Sequence, residues 1–154
     1  MELRTELLAQ PDVVKLDLTV GSREAALRAL HGELSGLPAV IDAGQFLRDV
    51  LERVMVASVC IAPDVALPHA RTAAVNRIVL GVARLSAPGI GFDGEQPNVR
   101  LVFLIGTPKQ EVNSYLQLVG GISRLLKQPA AHEGLLTAKT EAEFRLLLAG
   151  GART

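Results

Sequence analysis

The chain has 154 residues, 49% of them apolar, enough to bury about two-thirds of the unfolded surface in one core. Sixteen basic and sixteen acidic residues cancel, so no global field recruits nucleic acid or an anionic membrane, and an aromatic content of 3% cannot build stacking platforms for single strands. A single cysteine, Cys60, excludes an intrachain disulfide, the opening MELRTELLAQPD lacks the apolar stretch of a signal peptide, and no run approaches the roughly 18 residues that span a bilayer. The expectation is a soluble cytoplasmic protein, one domain over residues 1–154, with no nucleic-acid partner and no membrane insertion.

A short helix is predicted at residues 3–9. VVKLDLTV then alternates Val14, Leu16, Leu18 and Val20 against Lys15, Asp17 and Thr19, the period of a half-buried strand. Gly21 ends it, and Ser22 caps a helix whose apolar stripe, Ala26, Leu27, Leu30 and Leu34, stops near Gly36. Phe46, Leu47, Val50, Leu51 and Val54 predict a second helix over residues 42–56, with Arg53 in its last turn.

RIVLGVARL (residues 77–85) and VRLVFLIG (residues 99–106) predict strands on their β-branched and large apolar content. The near-continuous apolar run from Leu101 to Ile105 predicts a strand covered on both faces. Past Pro108 a long helix presents Val112, Tyr115, Leu116, Val119, Ile122, Leu125 and Leu126 on one broad face. Gly120 and Gly121 weaken it by about 1 kcal/mol each relative to alanine and open room for close packing. Pro129 starts a short helix, and Thr140 with Glu143 forms the capping-box start of the last one, ending at Gly150. Strands interleaved with helices predict a three-layer α/β/α sandwich with a mixed central sheet.

GIGFDG (residues 89–94) spells the dinucleotide fingerprint G-x-G-x-x-G, but it leads into a strand instead of opening a helix, so nucleotide binding is rejected. Cys60 has neither a CxxC partner nor clustered histidines, so no metal site is expected and a buried small side chain is the reading. No G-x-S-x-G elbow supports serine hydrolysis. His31 and His132 fall in predicted helices without a carboxylate constellation, and both read as solvated.

His69 is different. In DVALPHA, Pro68 fixes its own φ and holds Leu67 extended, so the imidazole is presented at a strand terminus by stiff backbone. A neutral imidazole near pH 7 has a ring lone pair able to attack phosphorus in line. Such transfer needs positioning and cations for the equatorial oxygens, which Arg71, two residues on, and Arg53 can supply.

LERVMVASVCIAPDVALPHA (residues 51–70) resembles the active-site segment of the fructose/mannitol and nitrogen-regulatory (type-2) enzyme IIA domains of the bacterial phosphotransferase system. Arg53, Ser58 and the Leu67-Pro68-His69 run carry the likeness. It continues through RIVLGVARL, GIGFDG, VRLVFLIGTP, YLQLVGGISRLLK and LLTAKTEAEFRLLL, nearly the whole chain in the family's order. The resemblance implies that His69 accepts a phosphoryl group from a small HPr-like histidine phosphocarrier protein and passes it to a IIB domain, with Arg53 a phosphate contact and no metal or organic cofactor.

The 154 residues show no fused IIB or IIC segment. A second role is therefore implied as well, a regulatory module that binds a target protein, with phosphorylation a switch or lost.

The chain departs from the family at three places. Tyr115 stands where the family has a second histidine; its hydroxyl can bond a phosphate or the imidazole, or the ring can simply pack. Val59 stands where threonine is common, and Asp64 where glycine is favoured. The Asp64 carboxylate either orients His69 through Nδ1–H or faces the phosphate, with Arg71 between them.

Overall fold

The computed structural model describes residues 7–93 and 96–150. Its elements are β1 (Val13–Leu18), α1 (Arg23–Leu34), α2 (Ala43–Val56), β2 (Cys60–Ala62), β3 (Val65–Ala66), β4 (His69–Arg71), β5 (Val79–Leu85), β6 (Leu101–Thr107), α3 (Val112–Leu126), α4 (Pro129–Thr137) and α5 (Glu141–Gly150). Residues 7–9 are helical, and the rest of the helix predicted over residues 3–9 lies outside the described residues.

The predicted caps form. Ser22 Oγ accepts from the Ala25 amide at 3.1 Å, and Thr140 Oγ1 from the Glu143 amide at 3.1 Å; Asp42 Oδ1 caps α2 through the Gln45 amide at 3.1 Å. Each such cap contributes about 1 kcal/mol.

The strands form one mixed sheet in the order β1-β5-β6-β3-β2, with β4 also paired to β6. β1 is parallel to β5, β5 antiparallel to β6, and β3 and β4 both parallel to β6. Every residue of β5 and β6 is buried, and alternation sends their side chains to opposite faces. Val102 and Leu104 pack with Leu30, Phe46 and Val50 of α1 and α2, whereas Leu101, Phe103 and Ile105 pack with Ile122, Leu135 and Phe144 of α3, α4 and α5. These are the three layers predicted.

Two departures have local causes. The alternation in β1 predicted a single apolar face, but Asp17 adopts φ 54° and the pairing with β5 slips between Lys15 and Leu18. Aspartate enters that left-handed region more readily than a branched residue. Val14 and Leu16 therefore serve one core, and Leu18 and Val20 the other.

In α3 the buried positions are Leu118, Gly121, Ile122 and Leu125, while Val112 and Leu116, predicted inside, are 45% and 57% exposed. The first turn of α3 faces an open cavity of about 150 Å³ rather than packed side chains.

The bulge at Asp17 receives a buried cation. Arg84, 4% exposed, donates to both Asp17 carboxylate oxygens at 3.2 Å and to the carbonyls of Leu135 and Ala138 at 3.0 and 2.7 Å. Multiple charge-assisted bonds are what make a buried guanidinium tolerable.

Glycine is required at two places. Gly89, at φ +90°, opens the connection between β5 and β6, and a Cβ there would run into the Val99 backbone. Residues 89–93 lead into β6 and not into a helix, as the rejection of a dinucleotide site anticipated; Gly94 lies outside the described residues. At Gly106 a Cβ would sit 2.7 Å from Phe46 Cε1 and Cζ, so the bare backbone lets α2 approach the end of β6.

Candidate functional site

β3 and β4 are two pieces of one parallel track along β6. Val65 and Ala66 pair with Leu101 and Val102, and after a break His69, Ala70 and Arg71 pair with Ile105, Gly106 and Thr107 in unshifted register. The break is Leu67-Pro68: proline has no N–H for the ladder, but its carbonyl still accepts from the Ile105 amide at 3.0 Å, while the Leu67 amide turns to Val59 O at 2.7 Å. His69 therefore opens β4 rather than closing a strand. Its backbone is held from both sides.

The His69 ring is half-buried. Its Nδ1 lies 3.0 Å from Leu67 O, and its centroid lies 5.2 Å from that of Tyr115 at a tilt of 39°. A carbonyl only accepts, so Nδ1 carries the proton and the lone pair of the neutral ring resides on Nε2. Burial lowers the His69 pKa below its ordinary 6.5; the Leu67 carbonyl pulls it back up, and the Arg53 charge adds to the lowering. The neutral, nucleophilic form is thereby favoured.

His69 lines an open cleft of about 360 Å³ with Asp49, Glu52, Arg53, Val56, Ala70 and Arg71. Arg53 extends from the last turn of α2, and its Nη1 donates to Ala57 O at 3.1 Å. Arg71 Nη2 donates to Lys109 O at 3.0 Å, and Arg71 also lines the neighbouring cavity beside Glu111, Val112 and Tyr115. The Tyr115 phenol is pushed up by burial, and Arg53 opposes that. α2, β4 and α3 thus bring His69, Arg53, Arg71 and Tyr115 to one end of the sheet. An imidazole lone pair beside two guanidinium groups is equipped to accept and hold an anionic group.

Ser58 belongs to a different set of contacts. Its hydroxyl donates to Asp93 and accepts from the Cys60 amide at 3.2 Å, and it does not line the cleft. Asp64 does not orient His69, a role taken by Leu67 O; its carboxylate meets His132 Nε2 at 2.8 Å, which draws it to α4.

His132 is consequently half-buried and paired, not solvated, because the fold closes a 68-residue separation between it and Asp64. His31, also read as solvated, places Nε2 2.7 Å from Ala43 O and its ring 5.6 Å from Phe46. Cys60 is half-buried in edge strand β2, and burial pushes its thiol up to about 11. Among the described residues no group of three or more His, Cys, Asp or Glu side chains could hold a metal ion.

The carboxylates of the cleft, Asp49 and Glu52, escaped the sequence reading. Asp49, Glu52, Arg53 and Val56 stand at i, i+3, i+4 and i+7, one face of α2. That spacing was the available signal, but a charged stripe reads by default as a solvated helix face.

A mixed sheet between two helical layers, presenting one imidazole beside two guanidinium groups at its end, defines the class of domain. Residues 7–150 match the family described as "Phosphoenolpyruvate-dependent sugar phosphotransferase system, EIIA 2", and the chain belongs to that family. It is 31% identical over 140 residues to the PTS system 2-O-alpha-mannosyl-D-glycerate-specific EIIABC component of Escherichia coli; that stretch is 89% of this chain and 21% of the relative. The chain thus spans about a fifth of the relative's length.

The fold superposes on the nitrogen regulatory protein IIA-Ntr of Neisseria meningitidis with a TM-score of 0.79 at 23% identity, covering 95% of this chain and 99% of that one. It superposes on the Escherichia coli complex of enzyme IIAMTL and phosphorylated enzyme IIBMTL with a TM-score of 0.73 at 22% identity, covering 90% and 95%. No helix among the described residues is long and apolar enough to cross a membrane.

Proposed function

We propose that the chain, as one IIA unit over residues 1–154, is a cytoplasmic histidine phosphocarrier. Its donor is the phosphohistidine of a small HPr-like protein and its acceptor a IIB domain. Nε2 of His69 attacks the donor's phosphorus in line; the donor's N–P bond breaks as the Nε2–P bond forms, and the proton on Nδ1 stays with Leu67 O throughout. Arg53 and Arg71 offset the charge of the equatorial oxygens, which is most of what loose phosphoryl transfer asks of a protein. Tyr115 flanks the ring, and Ser58 acts at one remove by holding Asp93 and the start of β2. No metal or organic cofactor takes part.

The observation that carries this reading is the Nδ1 contact with Leu67 O, which supports Nε2 as the free nitrogen beside two arginines. Family membership supports the phosphoryl chemistry, and the relative complexed with a phosphorylated IIB enzyme supports the acceptor.

The test is mass spectrometry for an acid-labile phosphate after incubation with a phosphorylated HPr-like carrier. Wild type gains one label and His69→Ala none; a labelled His69→Ala protein rejects the assignment. Use of the same phosphohistidine as a regulatory signal is separated from transport by adding a IIB domain: removal of the label supports transfer, and retention supports a switch that reads its charge.

A further inference from the structure

Next to the His69 cleft is a second cavity, of about 150 Å³, that the phosphoryl chemistry does not use. Pro108, Val112, Leu116 and the ring of Tyr115 give it apolar walls, although the periodicity of α3 predicted Val112 and Leu116 inside a packed core. Its two charged residues, Arg71 and Glu111, have opposite sign. Each is oriented by a partner of its own: Arg71 Nη2 donates to Lys109 O at 3.0 Å, and Glu111 Oε1 accepts from Ser114 Oγ at 2.7 Å. A guanidinium and a carboxylate are thus held at one apolar opening with donors and lone pairs to spare.

A cavity of roughly 150 Å³ holds a benzene ring, so a branched aliphatic side chain fits here. A hydrocarbon would use neither charge, a simple anion would be opposed by Glu111, and a simple amine would be opposed by Arg71. A carboxylate and an ammonium on one carbon, with an apolar side chain, complement both charges and the walls.

We propose that this cavity binds a small apolar α-amino acid, its carboxylate on Arg71, its ammonium on Glu111 and its side chain among Pro108, Val112 and Leu116, and that occupation slows phosphorylation of His69. The second half rests on the phosphocarrier reading of His69. Arg71 lines both the cavity and the cleft, and a guanidinium paired with the ligand carboxylate has fewer donors left for phosphoryl oxygens. Tyr115 is the partition between them, its ring 5.2 Å from that of His69. Coupling of this kind is reciprocal: a phosphoryl group on His69, by holding Arg71, weakens the amino acid by the same factor.

The probe is L-leucine added to the intact chain, followed by the ring signals of Tyr115 and the methyl signals of Leu116. Saturating shifts are expected at millimolar leucine, while isocaproate, which lacks the ammonium, and isoamylamine, which lacks the carboxylate, each bind about tenfold more weakly. Saturation should slow labelling of His69 by a phosphorylated HPr-like carrier about tenfold. Leu116→Trp, which fills the cavity from an exposed position, should abolish both the shifts and the slowing.

Shifts that do not saturate, isocaproate binding as tightly as leucine, or unchanged labelling at saturation would each overturn the proposal. The titration and the labelling of wild type involve no substitution, so they decide the matter even if Leu116→Trp failed to fold. Wild type that shows the leucine shifts but takes no label from the carrier alone would reject the phosphocarrier reading and leave the amino-acid site standing.

Discussion

The Nδ1 of His69 and the carbonyl oxygen of Leu67, two residues apart, are 3.0 Å from each other. This contact assigns the ring proton, because the carbonyl has none to give. Long-range ¹H–¹⁵N correlation should find the unmodified His69 as the Nδ1–H tautomer, and ¹⁵N–³¹P coupling should place the phosphoryl group on Nε2. A phosphoryl group found on Nδ1 would show that the Leu67 contact breaks before transfer.

Burial, first, and Arg53, second, hold the His69 pKa below 6.5 against the pull of Leu67 O. The phosphorylation rate should therefore rise with pH as the imidazole loses its proton, with its midpoint below pH 6.5. The same shift affects stability: between the folded pKa and 6.5 the unfolded chain binds the extra proton, so stability rises with pH across that window and is lost as pH falls through it. Thermal melts of wild type from pH 5 to 7.5 should show this slope, and His69→Gln should flatten it.

Tyr115 offers the imidazole a ring to pack against and a hydroxyl near Arg53. The two contributions separate by substitution. Tyr115→Phe keeps the ring and should leave the His69 titration in place while slowing transfer by about tenfold through loss of the hydroxyl donor. Tyr115→Ala uncovers the imidazole and should also raise its pKa toward 6.5, as read by titration of the ring ¹H signals. Identical titrations for the two variants would show that Tyr115 does not contribute to His69 burial.

Gly106 is opposite Ala70 in the ladder and directly beneath Phe46. A methyl group there must push α2 outward, and Arg53 is seven residues beyond Phe46 on that helix. Gly106→Ala should cost about 2 kcal/mol from overpacking and slow phosphorylation, whereas Gly106→Ala with Phe46→Leu should recover part of both losses. Denaturant melts and labelling rates check the pair; an unaltered Gly106→Ala protein would show that α2 is not seated by this contact.

How legible the molecule was depended on the range of the interactions involved. The helix starts at Ser22 and Thr140, the buried strands β5 and β6 and the sandwich could all be read because caps and periodicity act within a few residues. The stiff presentation of His69 was legible because proline fixes the step beside it. The short pieces β3 and β4 were not, since their strand character comes from pairing with β6 some 36 residues later. The Asp64–His132 pair depends likewise on chain closure. The bulge at Asp17 hid because a single φ above zero reverses the faces of all that follows while the residue types still alternate.

Arg84 leaves its mark on how the molecule could be divided. Its guanidinium takes acceptors from the first strand and from the joint between the last two helices, so the beginning and the end of the described chain share a single knot. A fragment cut before α4 would strand that cation in an apolar interior with only Asp17 to answer it. Any trimmed version meant to keep His69 at work must therefore retain the two closing helices, although they lie on the opposite side of the sheet from α2 and Arg53.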